Sequence, residues 1–222
     1  MRTREGVGRV APAPERVRLA DEDLSLARTL TRRRMEHRRY DARDDEWGFG
    51  YLGPVRAVYV GFVGEVAFRN WARSRLGVVV GVDDAYRPAG DRGVDFVVCG
   101  YRVQVKTATS PYDELLVRTR DAAAPAEDCQ VGWDVCFRLQ WPPRRDRSFG
   151  RGLFGCDERV DRCSVDLCGV VWAGDFHRVA RLQPGRGVGE WNYAVAPTDF
   201  LPVSTFLDKC RARTMRADRD AS

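Results

Sequence analysis

Lysine is nearly absent from this chain: of 37 Lys plus Arg, only Lys106 and Lys209 are lysine. An arginine-rich coding bias accounts for a cationic surface, but not for a lysine kept at Lys106, within an apolar run, two residues after Gln104 and downstream of Asp95. An ammonium is a compact, strongly hydrated point charge, whereas guanidinium is a broad, permanently charged fork. Chemistry that needs a small, movable cation would resist replacement of this lysine by arginine.

These residues sit in Gly90 to Thr109. Two apolar, β-branched runs, Val94 to Cys99 and Val103 to Thr107, flank Gly100-Tyr101. The pattern predicts a β-hairpin with a short turn. Strand side chains alternate, so Gln104 and Lys106 share one face and Val103, Val105 and Thr107 the other.

The segment resembles the PD-(D/E)XK nuclease superfamily, in the subgroup where glutamine opens the D/E-X-K element. Asp95 matches the metal-binding aspartate, Gln104-Val105-Lys106 the Q-X-K element, and Glu65 the glutamate of the preceding helix. The likeness covers roughly residues 60 to 110, with a weaker echo at Asp134 and Asp166; Val94 stands where the motif has proline. It implies Mg²⁺ (or Mn²⁺) held by Asp95, Glu65, the Gln104 amide oxygen and the Val105 carbonyl, with Lys106 beside the attacking water and scissile phosphate. DNA is the implied partner, with self-association into a homodimer left open. Glutamine removes one negative charge, so the ion is expected to bind firmly only when DNA phosphate joins its shell. Asp91, between glycines, competes with Asp95 for the metal role.

Positioning falls to the neighbouring elements. Phe62 to Leu76 has helical apolar spacing and carries Glu65, with Gly77 as its stop and Pro54 suited to a helix entry. Its bland reading is a core-edge glutamate paired with Arg69 at i, i+4. Asp21 to about Tyr40 predicts a helix whose second half is strongly cationic; it suits a DNA backbone or a solvated face balanced by Asp41, Asp44, Asp45 and Glu46. Strands are expected at Val78 to Val82, Leu115 to Thr119, Gly132 to Trp141, Val165 to Ala173, Arg178 to Leu182 and Trp191 to Val195. Trp47 to Gly53 and the Arg-rich Pro142 to Gly155, with Arg144, Arg145, Arg147, Phe149 and Arg151, read as loops. Thr205 to Asp208 has capping-box spacing for a C-terminal helix.

The expected class is α/β: a nuclease-like core with a mixed central sheet flanked by helices, an N-terminal basic helix and a β-rich C-terminal extension. The expected division is a flexible arm over 1–20, a single domain over 21–213 with its core at about 54–140, and a disordered tail over 214–222. At 222 residues, 44% hydrophobic and 31% charged, the chain can bury a sizeable core. No apolar run approaches the roughly 20 residues that span a bilayer, and no signal-peptide core opens the chain, so a cytoplasmic protein away from membranes is expected. Net charge of +5 is compatible with phosphate partners.

Seven cysteines without a secretory signal argue for reduced thiols. Cys156, Cys163, Cys168 and His177 lack the paired C-x₂-C spacing of a zinc or iron-sulfur site, so buried thiols are favoured there. Two histidines in unrelated contexts disfavour a Ser-His-Asp hydrolase, and no Gly-rich loop followed by Lys-Ser/Thr supports ATP hydrolysis. The alternative from another class is a non-catalytic DNA-binding or complex-forming protein on a degenerate nuclease fold.

Overall fold

The computed structural model describes residues 10–37, 53–82, 94–109, 114–118, 132–141, 163–184 and 191–220. Among these the chain is mixed α/β: a five-stranded mixed sheet and a smaller three-stranded one, with helices against them.

The main sheet is organised around one helix. α2, Gly53–Leu76, begins with Pro54 in its first turn and ends at Gly77, whose φ of +67° is the left-handed stop expected of that glycine. Its buried residues Tyr59, Val60, Phe62, Val63, Val66, Ala67, Phe68 and Trp71 cover one face of the sheet. The aromatic packing is specific: Phe68 lies 4.9 Å from Phe96 and 4.8 Å from Phe137, centroid to centroid. Burying each such ring contributes on the order of 2–3 kcal/mol.

That sheet has the order β1 (Glu15–Arg18), β6 (Ser164–Trp172), β5 (Val135–Gln140), β3 (Tyr101–Ala108), β2 (Phe96–Val98). β3 and β5 run parallel, with Gln104 beside Cys136 and Lys106 beside Arg138; every other pair is antiparallel. A bulge at Cys168 and Gly169 shifts the β5–β6 register between Arg138 and Leu139. The three-stranded sheet, β4 (Leu115–Arg118), β8 (Trp191–Val195) and β7 (Arg181–Pro184), contributes to a second core. There Leu115, Val117 and Val195 meet Trp133, Cys136, Val171, Phe176 and Phe200. The main sheet is therefore covered on both faces.

α1, Asp21–His37, buries Leu24, Ala27 and Leu30 along one stripe. Asp23 reaches back to the Ala20 amide at 3.0 Å and forward to Arg69 and Asn70 of α2, so one carboxylate caps α1 and ties it to its neighbour. α4, Ser204–Asp220, packs Phe206, Leu207 and Cys210 into the main core.

Several expectations are corrected. Glu15–Arg18, inside the expected flexible arm, is a strand, because β6 offers it a pairing edge from Ser164 to Leu167. Residues 78–82 are not a strand; they follow the α2 stop as irregular chain in which Val78, Val80 and Val82 pack on the core edge while Val79 is exposed. Ala173–Val179 is a short helix, α3, which displaces the expected strand at Arg178 to Arg181–Pro184. Thr205 does not cap α4: its hydroxyl donates to the Pro202 carbonyl at 2.7 Å. α4 continues into the expected disordered tail, as far as Asp220. No helix among the described residues is long and apolar enough to cross a membrane.

Candidate active site on the β2–β3 hairpin

The hairpin turns at Cys99-Gly100, with Val98 paired to Tyr101. Both turn residues have positive φ, 49° and 74°, the geometry of a type I′ turn whose twist matches that of the strands. Glycine adopts it without strain; Cys99 does so at some steric cost.

Burial separates the two faces. Phe96, Val98, Val103 and Val105 join the core beneath α2. Thr107 lies on that face too, against Gly64 of α2, where an added Cβ would stand 1.7 Å from Thr107 Oγ1. Alternation sends Arg102, Gln104 and Lys106 to the opposite face. Regular pairing stops at Phe96 beside Val103; the Asp95 amide reaches the carbonyl of that same Val103, so Asp95 stands at an irregularity of the strand edge and outside the alternation. Gln104 and Lys106 share a face along β3, as expected.

Asp95 lies where β2 pairing ends. Its amide donates to the Val103 carbonyl at 2.9 Å, and its Oδ2 accepts the Val105 amide at 2.6 Å. The carboxylate thus takes the place that a strand carbonyl would hold. A residue's N–H and C=O leave a strand on the same side, so the Val105 carbonyl points to this same edge, beside the Asp95 carboxylate.

Gln104 is only 2% exposed, and its Oε1 is 3.8 Å from the Cys136 sulfur, a long contact in which the thiol donates. The expectation that its amide oxygen faces a hydrated ion is not met in this arrangement: the second core lies over it. Burial above all, with Lys106 and Arg138 opposing and Asp95 adding, pushes the Cys136 thiol up to about 12. Lys106 itself is half-buried.

Glu65 comes from α2, one residue beyond Gly64, and so from the helix that covers the face opposite to Gln104 and Lys106. The structure brings together Asp95, the Val105 backbone, Gln104 and Lys106, and carries Glu65 on the other layer. Arg69, the alternative partner of Glu65, bonds Asp23 and Asn70.

Sequence reading passed over a polar row that continues from Lys106. Beside it Arg138, 2% exposed, donates to the Glu114 carbonyl at 3.2 Å, to the Leu139 carbonyl and to Gln140 Oε1 at 3.2 Å. Gln140 pairs across to Asp166, whose carboxylate takes two bonds from Arg16 at 2.7 and 3.0 Å. The signal was present: in Val135–Gln140, Cys136, Arg138 and Gln140 alternate with apolar neighbours. Asp134, the other distant echo, accepts from the Arg102 backbone at 2.7 Å and from its guanidinium at 2.8 and 3.3 Å. Arg102 holds its carboxyl below the usual carboxylate range.

Among the described residues no three of His, Cys, Asp and Glu are grouped to hold a metal ion. The expected donors contain only two such side chains; the others are an amide and a peptide carbonyl. All are hard oxygens, the donor type Mg²⁺ takes, and the Asp95 carboxylate beside the Val105 carbonyl is the pair on this edge that fits one. Asp91, Cys156, Trp47 to Tyr51 and the arginine loop from Pro142 lie outside the described residues. Cys163 and His177 stand beyond opposite ends of β6, about 30 Å apart at strand rise, so they cannot share a metal; Cys163 is also exposed rather than buried.

No protein-family model, curated protein or solved structure matches this chain.

Proposed function

We propose that this protein is a metal-dependent DNA endonuclease that hydrolyses phosphodiester bonds at the hairpin edge formed by Asp95, Gln104 and Lys106. The observation that carries the reading is the Asp95 carboxylate bound to the Val105 amide, on the residue that separates the buried amide of Gln104 from the rare Lys106 in β3. Further support comes from the mixed sheet flanked by helices and from the order of helix, hairpin and parallel strand, which suit a PD-(D/E)XK-like core.

In this reading Asp95 and the Val105 carbonyl would hold Mg²⁺ or Mn²⁺. The ion, when bound, supplies Lewis-acid charge at the phosphate and lowers the pKa of a bound water. Asp95 is oriented for its task by the Val105 amide, which fixes the carboxylate rotamer before substrate arrives. Lys106 places an ammonium beside the phosphate, offsetting charge that grows in the transition state. Gln104 acts from below, holding β3 in register against Cys136.

The second reading, a non-catalytic DNA-binding or complex-forming protein on a degenerate nuclease fold, draws on two observations: Gln104 is covered, and Glu65 belongs to the helix on the opposite face. Plasmid, single-stranded and branched DNA incubated with Mg²⁺ or Mn²⁺ separate the two. Metal-dependent cleavage abolished by chelation supports the endonuclease; binding without cleavage of every substrate supports the alternative.

A further inference from the structure

The turn of the hairpin is held by α4 through Arg213. Arg213 donates to the Gly100 carbonyl at 3.2 Å and stacks over the Tyr101 ring at 4.7 Å. A Cβ on Gly100 would stand 3.0 Å from the Arg213 guanidinium carbon, so the turn and the helix are in close contact. One helical turn before Arg213 stands Cys210, buried in the main core, while Cys99 is half-buried at the corner of the turn and packs against the same core. The anchored turn therefore brings two thiols from distant parts of the chain to one junction, and one of them can be reached from solvent.

We propose that Cys99 and Cys210 form a reversible disulfide that latches the C-terminal helix to the hairpin turn. In the reduced protein they are unbridged. The oxidant is a low-molecular-weight disulfide. The Cys99 thiolate attacks one of its sulfurs, forming a mixed disulfide and expelling one small thiol. Cys210 then attacks the Cys99 sulfur and expels the second. Two electrons pass from the protein pair to the small disulfide, and the two protein protons end on the two released thiols.

The order of steps follows from the surroundings. Burial first, then the neighbouring Cys99 side chain, pushes the Cys210 thiol up, whereas Cys99 is the accessible partner, so Cys99 reacts with the small disulfide first and Cys210 resolves. The latch does not depend on the reaction proposed for the hairpin face, since neither sulfur belongs to it.

The test uses the full-length protein incubated with oxidised glutathione, followed by intact mass and non-reducing peptide mapping. The expected result is loss of two hydrogens, a Cys99–Cys210 linked peptide, and its disappearance with dithiothreitol. A bridge closing so long a loop raises the unfolding temperature by about 5–10 °C, less than ideal loop-closure arithmetic gives. Cys99→Ser, at the accessible turn position, is expected to abolish both the linkage and the shift while folding normally; Cys210→Ala is expected to leave glutathione on Cys99. The proposal is overturned if the wild type retains glutathione on Cys99 with Cys210 unbridged, if neither cysteine reacts, or if another pair carries the bridge.

Discussion

Oδ2 of Asp95 accepts the backbone amide of Val105 at 2.6 Å, at the point where β2 stops pairing with β3. One carboxylate therefore completes the hairpin ladder at the residue that separates Gln104 from Lys106. Structure and chemistry meet at this residue, and substitutions can separate them.

Asp95→Ala removes the acceptor and leaves the Val105 amide without it, which is expected to destabilise the fold by about 1–3 kcal/mol in urea unfolding. Asp95→Asn keeps an oxygen in place and loses the charge, so it is expected to keep most of the stability. Equal losses for the two variants would show that geometry is not what Asp95 contributes.

Gln104→Glu places a carboxyl where the side chain is 2% exposed, within reach of the thiol of Cys136. In chelator its unfolding temperature is expected to fall, since burial disfavours the charged form. Mg²⁺ is expected to recover little of that loss, because the second core covers this side chain. Full recovery of the variant by Mg²⁺ would show that an ion reaches this position.

Gly61 and Gly64 of α2 have opposite surroundings. Gly61 has nothing within 4 Å of an added Cβ, whereas at Gly64 the same atom meets Thr107 Oγ1 at 1.7 Å. Gly61→Ala is expected to be neutral or to stabilise by up to about 1 kcal/mol through helix propensity. Gly64→Ala is expected to destabilise by about 2 kcal/mol or more as α2 is driven off β3. Similar effects at both positions would contradict the close approach of helix and strand.

Asp134 is held below the usual carboxylate range by the Arg102 side-chain bond, with the Arg102 backbone bond and charges adding to it and burial opposing. A depressed carboxylate stabilises the fold fully above its unfolded pKa, near pH 4, and loses that contribution as pH falls through the lower folded value. The stability gap between wild type and Asp134→Asn is therefore expected to be open at pH 6 and to close on acidification. It should stay under about 1 kcal/mol, because the pair is partly solvent-screened. A gap that widens in acid would reverse the assignment.

The hairpin was legible because β-branched alternation and a glycine mark it, yet the turn falls one residue earlier than the sequence suggests. A cysteine at positive φ is a poor signal, and Tyr101 is a good strand residue. The burial of Gln104 was not legible: alternation tells which residues share a face, not that a second sheet will cover it. That cover comes from Leu115, Val117 and Val195, remote in sequence. α3 escaped notice because seven residues without a side-chain cap carry almost no local signature. β1 was hidden among prolines and glycines, since its strand character comes from the β6 edge rather than from its own residues.

The most direct measurement is the rate of plasmid nicking with Mg²⁺ or Mn²⁺ by wild type, Lys106→Ala and Lys106→Arg, alongside DNA affinity for each. The account predicts metal-dependent cleavage that falls by about 100-fold or more in both variants while affinity changes little, as expected for a charge acting in the transition state. Cleavage unaffected by either substitution, or tight DNA binding with no cleavage under any metal, would contradict it.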